Sequence, residues 1–107
     1  MVKTRMTETM ISIARDFSRA PAGRHISDGP NSGEKFRDQL LVPALRKYNH
    51  VVLDLDGTRG MGSSFLEEAF GGLRRVAGFS GSELATKLKL VTRDPSLISE
   101  IEGYMGV

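Results

Sequence analysis

Two aspartates at the end of a hydrophobic run are the first residues in this chain that could do chemistry. The run Val51-Val-Leu-Asp-Leu-Asp-Gly-Thr58 places Asp54 and Asp56 two positions apart, followed by a glycine. Such a pair can divide the work of phosphoryl transfer, because one carboxylate attacks the phosphorus atom and the other moves a proton. The same residues also have a structural interpretation, in which Asp56-Gly57 begins a turn at the end of a strand.

This stretch resembles the start of the nucleophile strand in the haloacid-dehalogenase-like phosphatases. Thr92 follows a later predicted strand and could bind the phosphoryl group. The chain after Thr92 contains acidic residues, but it has no lysine to neutralise charge and no strand ending in paired acids that would help to hold Mg²⁺. A small Mg-dependent phosphatase-like enzyme that uses Asp54 and Asp56 is therefore an alternative and not the main hypothesis.

Composition restricts the classes of protein that fit. The 107 residues suit one domain, and 39% hydrophobic with 26% charged residues is ordinary for a globular protein. The net charge of +2 comes without a dense basic stripe, so nucleic-acid binding is not indicated. The absence of cysteine excludes disulfides and thiolate sites. No apolar run approaches the ~20 residues of a membrane helix, and the start lacks the apolar core of a signal peptide, so we expect a cytoplasmic protein with no membrane partner.

Other residue types that carry chemistry occur without the partners that the chemistry requires. His25 and His50 are far apart in the sequence, and no third ligand is patterned near either, so we expect no metal site. The glycine-rich stretch Gly57–Gly62 lacks the lysine of a P-loop, and no Gly-x-Ser-x-Gly elbow is present. We therefore expect a protein that is not an enzyme and that has no cofactor.

Hydrophobic periodicity predicts strands that alternate with helices. The predicted strands cover 9–14, 50–55 and 87–92. Four helices are predicted. One begins after a cap at Ser32, one covers 64–77, a brief one covers 82–86, and the last begins after a cap at Asp94. The unit from 50 to 92 should be parallel with a right-handed crossover. The expected fold class is α/β, with a small single-layer sheet (parallel or mixed) and helices. A single domain over 9–107 follows a disordered tail over 1–8.

Three local features of the helices give more specific expectations. Pro43 lies inside the first helical pattern and should kink or split that helix. Ser64 and Glu67 fit a capping box. The Gly71-Gly72 pair costs about 1 kcal/mol per residue relative to alanine inside a helix, so we expect another backbone to approach closely there.

Four parts of the chain stand out together: Ala22-Gly-Arg24, Ser32-Gly-Glu34 with Phe36-Arg37, Val51-Val-Leu-Asp-Leu-Asp-Gly57, and Gly62-Ser-Ser-Phe-Leu-Glu-Glu-Ala-Phe-Gly-Gly-Leu73. In this order they resemble the STAS-like family of bacterial proteins of unknown function (the DUF4325 group). The last string is the specific one because of its length. The likeness runs from about residue 9 to the C-terminus. It implies a relationship to STAS domains, the fold of bacterial anti-sigma-factor antagonists.

The resemblance also implies a candidate switch. In those antagonists a strand leads through a turn into a helix that begins Asp-Ser-Ser-Gly. A partner with a histidine-kinase-like ATPase fold phosphorylates the first serine, and phosphorylation breaks the complex. By position Ser63 matches the phosphorylated serine and Ser64 its neighbour, whereas Gly62 replaces the aspartate and Phe65 the glycine. A helix start stabilises a phosphate; the competing interpretation makes Ser63 or Ser64 the N-cap.

The sequence thus favours a non-catalytic regulatory domain that acts in signalling by protein–protein contact. Its expected partner is an ATP-binding, histidine-kinase-like protein, and a homo-oligomer or a self-assembling structural module stays as an alternative. The expected contact residues are Asp56, Gly57, Thr58, Arg59, Gly62, Phe65, Glu67 and Glu68. Arg24 and Arg37 could reach the carboxylates near Asp54 and Asp56, or an anion, but the first expectation is that each forms a salt bridge or stays an exposed charge.

Overall fold

One parallel sheet forms the centre of the computed structural model, which describes residues 6–107. Its strands lie in the order β1-β2-β3 and comprise Met6–Ser12, Tyr48–Asp54 and Leu88–Val91. The register pairs Ile11 with Leu53 and Leu53 with Leu90. This confirms the predicted α/β class and makes the sheet parallel throughout. Of the predicted tail, residues 1–5 lie outside the described residues, whereas residues 6–8 belong to β1.

Four helices connect and follow the strands. Helix α1 (33–47) consists of Gly33–Phe36 and Val42–Lys47 joined by a π-helical turn, Arg37–Leu41. Helix α2 (63–75) likewise joins Ser63–Leu66 to Gly72–Arg75 through a π-helical turn, Glu67–Gly71. Helices α3 and α4 comprise Gly81–Lys87 and Pro95–Met105. Short helical turns also occur at Ile13–Phe17, where we expected the end of β1, and at Ile26–Asp28.

The π-helical turn in α1 explains why the helix continues past Pro43. The N–H of Val42 donates to the carbonyl of Arg37, five residues back. Pro43 has no N–H, and its ring would crowd the carbonyl of Gln39 in a regular helix. A widened turn directly before the proline gives the ring room, so the helix runs on to Lys47. The helix is therefore not split at Pro43; a local widening, Arg37–Leu41, lies directly before the proline.

The helices cover one face of the sheet and leave the other face open. Side chains of the strands alternate: Ile11 and Leu53 are buried, whereas Met10 is 58% exposed and Val91 39% exposed. Residues 42–47 of α1 contact β2, α3 contacts β2 and β3, and α4 packs on α2. The core therefore lies between the sheet and the helices. None of the helices formed by residues 6–107 is long and apolar enough to cross a membrane.

Side-chain caps fix most helix starts, but not the start of α2. Ser80 and Glu83 form a capping box at α3, and the carboxylate of Asp94 accepts the N–H of Ser96 at α4. The capping box expected from Ser64 and Glu67 is wrong, because the N-cap of α2 is Gly62, which has no side chain.

The glycine pair of α2 makes room for charged side chains. A Cβ atom on Gly72 would overlap Nη1 of Arg37 and lie 3.0 Å from its Cδ. A Cβ atom on Gly71 would lie 2.6 Å from Oε2 of Glu67. The close backbone approach that we expected occurs instead at Gly33, where a Cβ atom would overlap the carbonyl oxygen of Phe65. Helices α1 and α2 thus cross at Gly33, and Arg37 continues the contact along α2.

We predict opposite effects for two helical glycines replaced by alanine. Gly72→Ala should destabilise the protein by about 2 kcal/mol, because overpacking would push the buried Arg37 from its place and outweigh the gain in helix propensity. Gly103→Ala in α4 is the matched control, since nothing lies within 4 Å of its Cβ position. It should stabilise the protein by about 1 kcal/mol. Urea unfolding measures both, and equal stability of the two variants would contradict this packing.

Candidate functional site

The carboxyl ends of β2 and β3 are tied together by Asp56. Its carboxylate accepts hydrogen bonds from the hydroxyl of Thr92 at 2.7 Å and from the N–H of Arg93 at 3.2 Å. The carboxylate of Asp54 in turn accepts the N–H of Asp56 at 2.9 Å. These contacts confirm the turn interpretation of Asp56-Gly57. They give Thr92 a structural role, in which it holds Asp56 in place.

The loop between β2 and α2 rests on the segment that follows β1. Gly57 has φ +94°, a conformation that favours glycine, and its Cβ position lies 3.1 Å from Cβ of Ala14. The N–H of Arg59 donates to the carbonyl of Arg19 at 2.8 Å. The base of the loop is therefore held on two sides, whereas Gly57 and Arg59 themselves are exposed and Thr58 is half-buried.

Ser63 and Ser64 are the first two residues of α2, and both are exposed. Gly62 is the N-cap, in an extended conformation, so neither serine has that position. The expectation that Ser63 or Ser64 caps the helix is therefore wrong. The physical reason is that the chain turns into the helix one residue earlier than we predicted, at a glycine.

Two of the expected contact residues are buried. Phe65 is 1% exposed, and its ring centroid lies 6.0 Å from that of Phe36 and 6.3 Å from that of Phe17. Glu68 is 6% exposed. They follow the serines on the face of α2 that packs against α1, so neither contributes to an exposed surface. The assignment of Phe65 and Glu68 to a partner-binding surface is corrected accordingly.

Glu68 pairs with Arg37 in the interface between α1 and α2. Nη1 of Arg37 lies 2.6 Å from Oε2 of Glu68 and donates to the carbonyl of Glu68 at 2.9 Å. Arg37 is 3% exposed, and its Nε also donates to Asp38 at 2.8 Å. A buried charge is tolerated only when it is paired and hydrogen-bonded. Both conditions are met here, because every buried side-chain nitrogen and oxygen among the described residues has a partner.

Glu67 extends this pair into a surface network. Its carboxylate pairs with Arg24 and with Arg75, whose Nη2 also lies 3.1 Å from Oε1 of Glu68. Arg24 and Arg37 therefore form salt bridges, as expected, and their partners are the glutamates of α2. The alternative, a contact with the carboxylates near Asp54 and Asp56, is wrong.

Backbone contacts of the loop before α1 explain that choice of partner. The N–H of Gly33 donates to the carbonyl of Gly23, and the N–H of Glu34 donates to that of Arg24, each at 3.0 Å. These bonds hold the loop against the start of α1, where Arg24 contacts the glutamates of α2. Arg24 is thereby brought to Glu67.

The network lowers the pKa of both glutamates. Burial alone would raise the pKa of Glu68, but the hydrogen bond from Arg37 and the charges of Arg75 and Arg37 outweigh it. The hydrogen bond from Arg75 lowers the pKa of Glu67, and that from Arg24 adds to the effect. A carboxyl group with a lowered pKa binds its proton less readily when folded, so it contributes stability above its unfolded pKa.

Exposed arginines surround the loop, and sequence reasoning singled out only Arg59. Arg15 follows β1, Arg59 follows β2 and Arg93 follows β3, and all are exposed. The carboxyl ends of parallel strands meet at one edge, so the available signal was an arginine within a few residues of each predicted strand end. Arg15 is paired with Asp16. Among the ion pairs of residues 6–107, Arg59 and Arg93 take no part.

We predict that Glu68→Gln reduces the acid sensitivity of folding. Because the folded pKa of Glu68 lies below the ordinary 4.5, its contribution to stability is present above pH 4.5 and is lost as the pH falls further. Glu68→Gln should cost about 2 kcal/mol at neutral pH and should flatten the fall in unfolding free energy below pH 4.5. Glu102→Gln, at an exposed position of α4, should leave that fall unchanged; equal slopes for Glu68→Gln and the unmutated chain would contradict the assignment.

A comparison with protein families finds a match for the part of the chain that carries this site. A family model for a STAS-like domain of unknown function (DUF4325) matches residues 32–96, which include α1, β2, the loop, α2, α3 and β3. Neither the curated proteins nor the solved structures give a significant match. The match covers more than half of the chain and includes the two serines and the glycine pair. The chain belongs to the family of STAS-like domains of unknown function.

Proposed function

We propose that this chain is a non-catalytic, cytoplasmic regulatory domain that acts by protein contact at the exposed surface around Gly57–Ser64. The observation that carries the proposal is the placement of Ser63 and Ser64. Both are exposed at the start of α2, and neither is its N-cap. The segment just before them is fixed, because Asp56 and Arg59 hold the base of the loop. Modification of a serine hydroxyl at this position would change the surface that the domain presents to a partner, and it would not require the domain to refold.

The chemistry around the serines favours a phosphate. The N–H groups of the first helical turn and the positive end of the helix dipole stabilise a phosphate on Ser63. Arg59 and Arg93 contribute positive charge at the same edge of the sheet. The two added negative charges would also repel an acidic partner or break its contact with Arg59. Phosphorylation would therefore leave the domain folded and release the partner.

The proposed partner is an ATP-binding protein of the histidine-kinase-like class. The family relationship supports this choice, because STAS domains of the anti-sigma-factor-antagonist type meet such a partner at the corresponding turn. ATP would then be the ligand of the partner and not of this chain. The contact residues that fit the proposal are the exposed ones, Gly57, Arg59, Gly62, Ser63 and Ser64, with Thr58 half-buried beside them.

A phosphatase that uses Asp54 and Asp56 is the rival from a different class. Asp56 would have to move a proton, yet its carboxylate is engaged by Thr92 and Arg93. Thr92, the candidate phosphate ligand, donates its hydroxyl hydrogen bond to Asp56. The geometry supports the regulatory proposal over the phosphatase. Mg²⁺-dependent hydrolysis of a generic phosphate ester by the pure chain would instead favour the phosphatase.

We predict one added phosphate on Ser63 when the full chain is incubated with Mg-ATP and the histidine-kinase-like ATPase encoded nearest to it. Intact mass and a peptide map would measure it. Ser63→Ala should abolish the modification, whereas Ser99→Ala, at an exposed position of α4, should not change it. Stable binding without a phosphate would exclude the switch, and a phosphate retained in Ser63→Ala would place it elsewhere.

We further predict that Ser63→Glu separates folding from binding. A negative charge in the first helical turn should stabilise the domain by about 0.5 kcal/mol. The same variant should bind the ATPase at least about tenfold more weakly if a charge at this surface releases the partner. Thermal unfolding and titration calorimetry measure the two effects, with Ser99→Glu as the matched control. Unchanged affinity in Ser63→Glu would contradict the proposed surface.

A further inference from the structure

Strand β3 is an edge of the sheet with backbone groups available for another strand. It pairs with β2 on one side, and the described residues place no strand on the other side. The carbonyl of Val91 accepts the N–H of Leu55 and so points towards β2. Successive residues of a strand point in alternate directions, so the backbone groups of Leu88 and Leu90 point away from β2. The N–H of Leu88 donates to Leu84, which leaves the carbonyl of Leu88 and both groups of Leu90 at the edge.

A groove of about 580 Å³ runs along this edge. Residues 87–90 line it from the strand side, and Ile98, Glu102 and Met105 line it from α4. Leu84 lines it from α3. Because side chains of α4 line the same groove as β3, a strand added beside β3 would also contact α4. The groove therefore has the position of a missing fourth strand.

The side chains of β3 define what the additional strand must carry. Leu88 is buried and Leu90 half-buried on the side of the helices, whereas Lys89 is exposed on the open face and Lys87 lies two residues before it. A neighbouring strand alternates its side chains between the same two faces. Apolar side chains would pack under Ile98, and acidic side chains would lie beside the lysines. Glu102 lines the helix side of the groove, and Glu8 lies on the lysine face but two strands away in β1, so acids fit best beside Lys89.

The lysines also exclude the simplest self-association. Two copies that paired β3 with β3 would bring Lys89 of one copy beside the same strand of the other, with Lys87 directly before that strand, and like charges on neighbouring strands repel. Lysine on an edge strand is a common device against such pairing. The occupant that fits is therefore an extended segment with acidic residues and not a second β3.

We propose that the β3 edge binds an extended segment of a partner protein, with alternating apolar and acidic residues, as a fourth strand. Glu8 and His50, near the amino ends of β1 and β2, also line the groove, so it lies away from the Gly57–Ser64 loop at the carboxyl ends. This inference does not depend on the proposed function of that loop. It gives the domain two separate surfaces for partners.

The test is an NMR titration of the ¹⁵N-labelled full chain with three synthetic peptides at millimolar concentration. The first alternates valine and glutamate between terminal prolines, which limit self-pairing of the peptide. The second has lysine in place of glutamate, and the third has N-methylated valines that cannot donate hydrogen bonds. We expect the glutamate peptide alone to shift the amides of residues 87–90 and to slow exchange of the Leu90 N–H. The other two should bind at least about tenfold more weakly.

Reversal of the charge at Lys89 in the protein is a control that does not depend on the design of the peptides. Lys89→Glu changes an exposed side chain and should leave folding intact, while it reverses the preference so that the lysine peptide binds better. Equal binding of the glutamate and lysine peptides, no binding by any peptide, or an unchanged preference in Lys89→Glu would overturn the proposal. A dimer in sedimentation, together with slowed hydrogen exchange of the β3 amides in that dimer, would also overturn the proposal, because a second copy would then occupy the edge.

Discussion

The buried ion pair between Arg37 and Glu68 is the contact on which the arrangement of the helices depends. It joins α1 to α2 at their π-helical turns, and each partner is less than a tenth exposed. Pairs of this kind contribute little net stability, since desolvation of both charges offsets their attraction. We infer that the pair instead specifies the alignment of the two helices, because a shifted register would separate Arg37 from Glu68 while both remain buried. Gly72 is the matching constraint, since only a residue without Cβ leaves space for the guanidinium.

That alignment carries through to the candidate site. Glu68 lies little more than one turn after Ser63 and Ser64, so the pair that fixes α2 against α1 also fixes the point where the serines are presented. At the other end of the loop, Asp56 joins β2 to β3. The exposed serines therefore sit between two rigid attachments. Under the proposed function, a charge added there would alter the surface that the partner meets and would leave the core unchanged, as a phosphorylation switch requires.

Sequence reasoning predicted the elements whose signals are local. Strands β2 and β3, the helical stripe of α2 and the caps at Ser32 and Asp94 all follow from periodicity and capping preferences. It missed Arg37–Glu68, because two charges in separate helices carry no local sign of pairing. The glycine pair in α2 was the one sign in the sequence of a close contact at this helix. The sequence does not show whether a side chain or a backbone segment makes that contact. The predicted partner-binding surface on α2 was wrong at Phe65 and Glu68, because both side chains point into the interface with α1 and the sequence gives no local sign of that contact.

A double-mutant cycle on Arg37 and Glu68 tests the central claim most directly. Arg37→Met and Glu68→Leu would be compared singly and together by urea unfolding. Each single change removes the partner of a buried charge across the helix interface, although Asp38 still pairs with Arg37 and Arg75 with Glu68, and should cost about 3 kcal/mol. The double change removes both charges, so its cost should fall short of the sum by about 2 kcal/mol or more. Additive costs would contradict the account, because they would mean that the two side chains do not depend on each other and that α2 is positioned by apolar packing alone.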